Sequence, residues 1–202
     1  MKRSIHPAVD SGVKTKAPTS NIWRYISNKP KPGGKLQCKC SSNPVEVKVT
    51  ATAAHNHLCG CTQCWKPEGA LFSQVAVVPR DHLSVIKNAD KLEILDETAP
   101  IQRHACRECG THMFGRVEDQ THHFYGLDFI HVELSKDEGW PPVQFAGFVS
   151  SIVESGANPD ELDEVREQIR NIGLQPYDEF SPQLNSYIAS RASSLNYKNQ
   201  VF

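Results

Sequence analysis

The sequence holds seven cysteines, all in tight clusters: Cys38-x-Cys40, Cys59-x-Cys61-x-x-Cys64 and Cys106-x-x-Cys109. A Cys-x-x-Cys turn brings two sulfurs to one tetrahedral ion. Cys-x-Cys does the same from an extended segment, where residues i and i+2 face one way. Clusters of two, three and two sulfurs divide into one closed four-ligand site and one three-ligand site with a free position, the difference between structural and catalytic zinc. Spacing alone leaves two pairings open. Cys61 and Cys64 with Cys106 and Cys109 would resemble a long zinc ribbon and strand Cys38, Cys40 and Cys59. Joining Cys38 and Cys40 to Cys106 and Cys109 leaves Cys59, Cys61 and Cys64 as a compact half-shell that needs no long loop closure, and is preferred on that ground. The competing chemistry at Cys61-Thr62-Gln63-Cys64 is a redox pair, but no βαβ context surrounds it and Cys59 stands beside it.

Three thiolates overcompensate the two charges of a zinc ion, so water activation is weak and a soft ligand suits the free position best. A substrate thiol bound there would lose its proton and stay nucleophilic at neutral pH. The reaction class this suggests is thiolate addition to an electrophilic carbon. His55, His57, Lys66, Arg103 and His104 lie near the clusters in sequence. They could offset the negative site and hold carboxylates of an incoming ligand, although each alone is more often an ordinary surface or core residue.

The elements that must carry these residues are mainly strands. With 202 residues, 39% of them hydrophobic, the chain is long enough for one domain with a real core. Its 22 Lys+Arg against 23 Asp+Glu leave no basic excess, so neither a nucleic-acid partner nor an anionic membrane surface is expected. The longest apolar stretch, Val143 to Val153, is broken by Gln144, Ser150 and Ser151, and falls short of the roughly 20 residues a spanning helix needs. Residues 1–35 carry no apolar secretory core, so a cytoplasmic setting with reduced thiols is expected.

Three segments are expected: an extended N-terminal arm over 1–35, a zinc-binding β domain over 36–155, and a C-terminal helical segment packed on it over 156–202. In the arm, Trp23-Arg24-Tyr25-Ile26 could dock on the core or a second subunit. Strand patterns run over Val45–Thr50, Leu71–Val78, Leu83–Ile86, Leu92–Leu95, Ile101–Ala105, His112–Val117, Phe124–Phe129 and Phe145–Ile152. In the tail, Asn158-Pro159 starts a helix whose apolar face is Leu162, Val165, Ile169 and Ile172, ended by Gly173. Ser181-Pro182 starts a weaker second helix with Leu184, Ile188 and Leu195.

Longer motifs carry a resemblance. Cys38-Lys-Cys40-Ser, His55-Asn-His57-Leu-Cys59-Gly-Cys61-Thr-Gln-Cys64-Trp65-Lys66-Pro67-Glu68-Gly69, Pro100-Ile-Gln-Arg103-His104-Ala-Cys106-Arg-Glu-Cys109-Gly110 and Phe124-Tyr-Gly-Leu-Asp128-Phe-Ile-His131 resemble the glutathione-dependent formaldehyde-activating enzymes, the S-(hydroxymethyl)glutathione synthases. The likeness runs from about Leu36 to Tyr177, and the lead over residues 14–32 is longer than is usual in that family. The resemblance implies a mainly β, Mss4-like zinc-binding fold with short C-terminal helices. It implies two Zn2+ per chain, a structural one on Cys38, Cys40, Cys106 and Cys109 and a catalytic one on Cys59, Cys61 and Cys64. It further implies a lyase that condenses glutathione with formaldehyde to S-(hydroxymethyl)glutathione, the first step of glutathione-dependent formaldehyde detoxification. His57, Trp65, Lys66 and Arg103 are the candidate substrate contacts, and a homodimer is the candidate assembly. A glutathione-binding carrier without catalysis, or a zinc-stabilised interaction module, would use the same residues.

Overall fold

The structure is a computed structural model that describes residues 4–6 and 32–199, with side chains to residue 194. Its described strands are β1 (Gly34–Gln37), β2 (Glu46–Val49), β3 (Ala54–Cys59), β4 (Ser73–Pro79), β5 (Leu83–Lys87), β6 (Leu92–Ile94), β7 (Gln102–Cys106), β8 (His112–Arg116), β9 (Leu127–His131) and β10 (Ala146–Gly147). Two helices follow, α1 (Leu162–Asn171) and α2 (Pro182–Asn199). The fold is mainly β with short C-terminal helices, as the patterning predicts. No helix among the described residues is long and apolar enough to cross a membrane.

The strands form a three-stranded sheet, β1-β2-β5, and a seven-stranded sheet, β10-β3-β4-β9-β8-β7-β6. All pairs are antiparallel except β10 with β3. Strands β4 and β9 are central and apolar on both faces, because each face of the large sheet is covered. One face, with Ala76, Val78, Phe114 and Ile130, packs on Leu36, Val47 and Val49 of the small sheet. The opposite face, with Val77, Phe129 and Leu127, meets Phe180, Tyr187 and Ile188 from α2 and the segment before it. Period-two side-chain alternation thus builds a core on one side of the sheet and leaves the other for a site. The buried Asp128 ties β9 to β8 through a two-point contact with Arg116, at 2.8 and 2.5 Å.

The C-terminal segment starts as expected, with Asn158 Oδ1 accepting from the Asp160 N–H at 3.1 Å. Its first turn, Pro159–Glu161, is a tight 3-10 turn, and the α-helix begins at Leu162. Val165 and Ile169 pack against Leu58, Phe72, Val149 and Ile152. Arg191 of α2 donates to the carbonyls of His123 and Tyr125 and fixes that helix over the sheet.

Two strand expectations shrink. Only Ala146 and Gly147 of the 145–152 stretch pair as a strand; Phe148, at φ 55, turns the chain away, and Ser150–Val153 coils into a 3-10 turn. Strand β9 starts at Leu127 because Gly126, at φ 82, closes a turn before it. At the N-terminus the Leu71 and Phe72 amides donate to the Ser4 and Ile5 carbonyls at 2.9 and 3.2 Å. Ile5 and His6 are buried there. The docking motif at Trp23–Ile26 lies outside the described residues.

Candidate active site

Cys38 and Cys40 follow β1, while Cys106 ends β7 and Cys109 lies in the turn into β8. Their four sulfurs all lie within 4.8 Å of one another, and Cys40 Sγ is 3.7 Å from Cys106 Sγ. Sulfurs on one tetrahedral zinc, at about 2.3 Å each, stand about 3.8 Å apart, so the cluster fits that ion. The turn that shapes it is closed by Gly110 N–H to Cys106 O at 2.8 Å, with Gly110 at φ 67. The Val45 N–H donates to Cys38 Sγ at 3.1 Å, and Thr111 Oγ1 lies 3.2 Å from Cys109 Sγ. Burial raises the Cys109 thiol, but hydrogen bonds from the Thr111 hydroxyl and backbone outweigh it and hold the thiol at about 6.

Cys59 is the last residue of β3, and Cys61 and Cys64 occupy the turn that follows. Cys61 Sγ is 3.3 Å from Cys64 Sγ, which is 3.6 Å from Cys59 Sγ, and all three lie within 4.8 Å. These spacings also fit one tetrahedral ion. Gly60 makes the turn feasible: its N–H donates to Gly147 O at 2.9 Å, and a Cβ there would collide with the Phe148 carbonyl. Hydrogen bonding shared with the Cys59 and Cys64 sulfurs, and from the Gln63 and Cys64 amides, lowers Cys61 to about 2. Cys59 is pushed up by the same sharing and by burial. The structure thus gathers the sulfurs as four and three, in the pairing that compactness favours.

The three-sulfur cluster opens on a cavity of about 210 Å³ floored by one face of the large sheet. Next to the cysteines lies a cross-strand row of His57, Val75 and His131, on β3, β4 and β9. One rung further, Arg103, Gly115, Phe129 and Val77 form a second row across β7, β8, β9 and β4. Beyond it the wall is apolar, with Leu127, Phe124, Phe180 and Leu184. Gly115 keeps the floor low, since a Cβ there would come within 2.8 Å of Ile101 Cγ2.

The polar groups of the cavity gather in these rows and beside the sulfurs. His57 is stacked on Phe145 at 4.8 Å, and its Nδ1 donates to His55 O at 2.6 Å. Burial drops its pKa to about 4, which keeps the ring neutral. Arg103 donates to the Ile101 carbonyl and lines the cavity. His131 lines the cavity, and its Nδ1 is 3.6 Å from Glu133 Oε1. Glu133 is itself buried; its Oε1 accepts the Gln74 N–H at 3.0 Å and lies 3.7 Å from His6 Nε2. Burial raises that carboxyl, but His131 and His6 outweigh it and hold it down to about 2.

Of the candidate substrate contacts, His57 and Arg103 line the cavity, whereas Trp65 and Lys66 lie outside its wall. Trp65 meets His131 edge-on at 5.7 Å, with Lys39 Nζ 4.8 Å from its ring. Lys66 Nζ donates to Cys61 O at 2.5 Å, bracing the cysteine turn. His55 lies against Tyr187 and His104 on the Phe114 ring, neither of them in the cavity wall. Sequence reasoning did not single out His131, Glu133 or Gly115. The alternation Leu127, Phe129, His131 along β9 was the available signal, since a histidine continuing an apolar stripe stands on a covered face.

The family model described as "GFA: Glutathione-dependent formaldehyde-activating enzyme" matches residues 35–148, more than half of the chain. A relative from Aspergillus flavus is 53% identical over 198 residues, covering 98% of this chain and 97% of its own. Another, from Podospora anserina, is 52% identical over 195 residues, covering 96% of this chain and 86% of its own. Both relatives bear names of that same family. A crystal structure of a Rhodobacter sphaeroides protein is a more distant likeness, at 19% identity and a TM-score of 0.39 over 71% of this chain and 98% of that one. The chain belongs to the family of glutathione-dependent formaldehyde-activating enzymes.

Proposed function

We propose that the chain is a lyase that condenses glutathione with formaldehyde to S-(hydroxymethyl)glutathione, the first step of glutathione-dependent formaldehyde detoxification. The observation that carries this reading is a three-sulfur cluster that opens on a cavity instead of on a fourth side chain. Cys38, Cys40, Cys106 and Cys109 would hold a structural zinc, and Cys59, Cys61 and Cys64 a catalytic one. When bound at the three cysteines, the ion supplies a seat that takes the substrate thiol and keeps it a thiolate at neutral pH.

The chain's own residues supply the rest. His57, neutral and stacked on Phe145, borders the seat without adding charge or competing as a base. Arg103 is the cation of the cavity wall and faces a carboxylate of glutathione. As sulfur attacks the aldehyde carbon, a C–S bond forms and the carbonyl π pair moves to oxygen. His131, in the cavity wall, gives that oxygen a proton, and the proton released by the thiol restores the ring. The Glu133 carboxylate, 3.6 Å from His131 Nδ1, favours the protonated ring that this transfer needs. All seven cysteines are free thiols, which suits a reducing, cytoplasmic setting.

Exchange between formaldehyde and its glutathione adduct tests the reading. The wild-type protein should accelerate exchange, and Cys61→Ser should return it to the protein-free rate. Equal rates with the two proteins would leave a glutathione carrier and sink the enzyme.

A further inference from the structure

We propose that the apolar end of the cavity is a binding site for the substituent of an aldehyde larger than formaldehyde, up to an aryl ring, so that the chain also forms hemithioacetals from apolar aldehydes. This extends the proposed function and rests on it. Formaldehyde has one carbon and one oxygen, yet the cavity measures about 210 Å³, of which an ion and the substrate thiol would fill only the cysteine end. An apolar cavity of about 150 Å³ is enough to take benzene.

The chemistry of the wall is graded along the strands. At the cysteine end stand the sulfurs, His57 and His131, and one rung on stands Arg103. Beyond Phe129 the wall turns to Leu127, Phe124, Phe180 and Leu184. Successive rungs on one face of a strand are about 7 Å apart. An aldehyde carbon beside the sulfurs therefore places a substituent of a few carbons among the apolar side chains. Phe124 meets Phe129 edge-on, 5.1 Å between centroids, the mutual geometry that aromatic rings favour. Glutathione is a poor occupant of this end: it carries two carboxylates and an ammonium, and no charged group stands there. Its thiol reaches the cysteines and one carboxylate reaches Arg103, so its peptide body stays on the cysteine side of the apolar end.

The step balances as it does for formaldehyde. The sulfur–carbon bond forms, the carbonyl π pair becomes an alkoxide, and His131 protonates it. The thiol's proton restores His131, so no oxidant or reductant is needed.

Exchange of glutathione with formaldehyde, butanal and phenylacetaldehyde should be followed by NMR for the wild-type protein, Leu127→Phe and Leu127→Ala. Binding of benzyl alcohol, which does not react with thiols, should be followed in parallel. All three aldehydes should be accelerated by the wild type. Leu127→Phe should slow phenylacetaldehyde by about tenfold or more, the usual discrimination of an overfilled apolar pocket. Leu127→Ala should spare it, and formaldehyde should change less than about twofold in either variant. Acceleration of formaldehyde alone would overturn the proposal, as would an equal loss for all three aldehydes in Leu127→Phe. If no aldehyde is accelerated, the proposed function fails. The binding site is then decided by benzyl alcohol: shifts at Phe129 and Leu184 uphold it, and their absence in the wild type overturns it.

Discussion

The four-sulfur cluster joins Cys38 and Cys40, next to the small sheet, to Cys106 and Cys109 on the large one, whereas the three-sulfur cluster comes from six consecutive residues that begin with the last of β3. An ion at the first would clamp two sheets and close a loop of more than sixty residues. At the second it would close only a local turn that Gly60, Lys66 and the backbone already shape. Buried Leu36, Val47 and Met113 surround the first, while the second faces a cavity. On the proposed reading stability and chemistry are divided between two groups of the same residue type, and what divides them is where the fourth direction points.

The division can be broken experimentally. Cys106→Ser should cause the largest loss, because ligand binding at a closed site contributes folding free energy outright, comparable with the roughly 5–15 kcal/mol that holds a domain together. Cys61→Ser should melt much closer to wild type; matched thermal melts with Cys61→Ser the less stable would reverse the assignment. Next in size, His131→Gln should lower kcat by about 100-fold or more, as loss of a proton donor does. Glu133→Gln should lower it less, with KM for glutathione unchanged in both. A change confined to KM would make His131 a binding residue only.

The smallest effect is on the acid side. Burial keeps His104 and His112 neutral, with pKa values lowered to about 4 from the ordinary 6.5. The unfolded chain therefore binds more protons in that interval, and stability should fall as pH drops from about 6.5 to 4. Glu133, lowered to about 2, extends the loss below its ordinary 4.5. Melting temperatures that rise as pH falls through the upper interval would contradict this.

Much of the comparison is legible in the sequence because cysteine spacing is a local property, and local turns bring local sulfurs together. The union of Cys38 and Cys40 with Cys106 and Cys109 is tertiary, and spacing leaves it open. Alternating β2 and apolar β4 announce themselves, but β3, Ala-His-Asn-His-Leu-Cys, shows neither pattern. Its buried Asn56 is satisfied by Gln74 and the Pro141 carbonyl, partners that no local pattern reveals. The same holds for His131, which shares the Glu133 carboxylate two residues on with His6 from the start of the chain.

The central claim is that the three-cysteine cluster keeps one position for a thiol from outside the chain. Cadmium NMR on the cadmium-substituted protein tests it most directly. Two resonances are expected, one lost in Cys106→Ser and the other in Cys61→Ser. Glutathione should move the second toward the four-sulfur range and leave the first in place. A second resonance that stays fixed while glutathione binds would contradict the account.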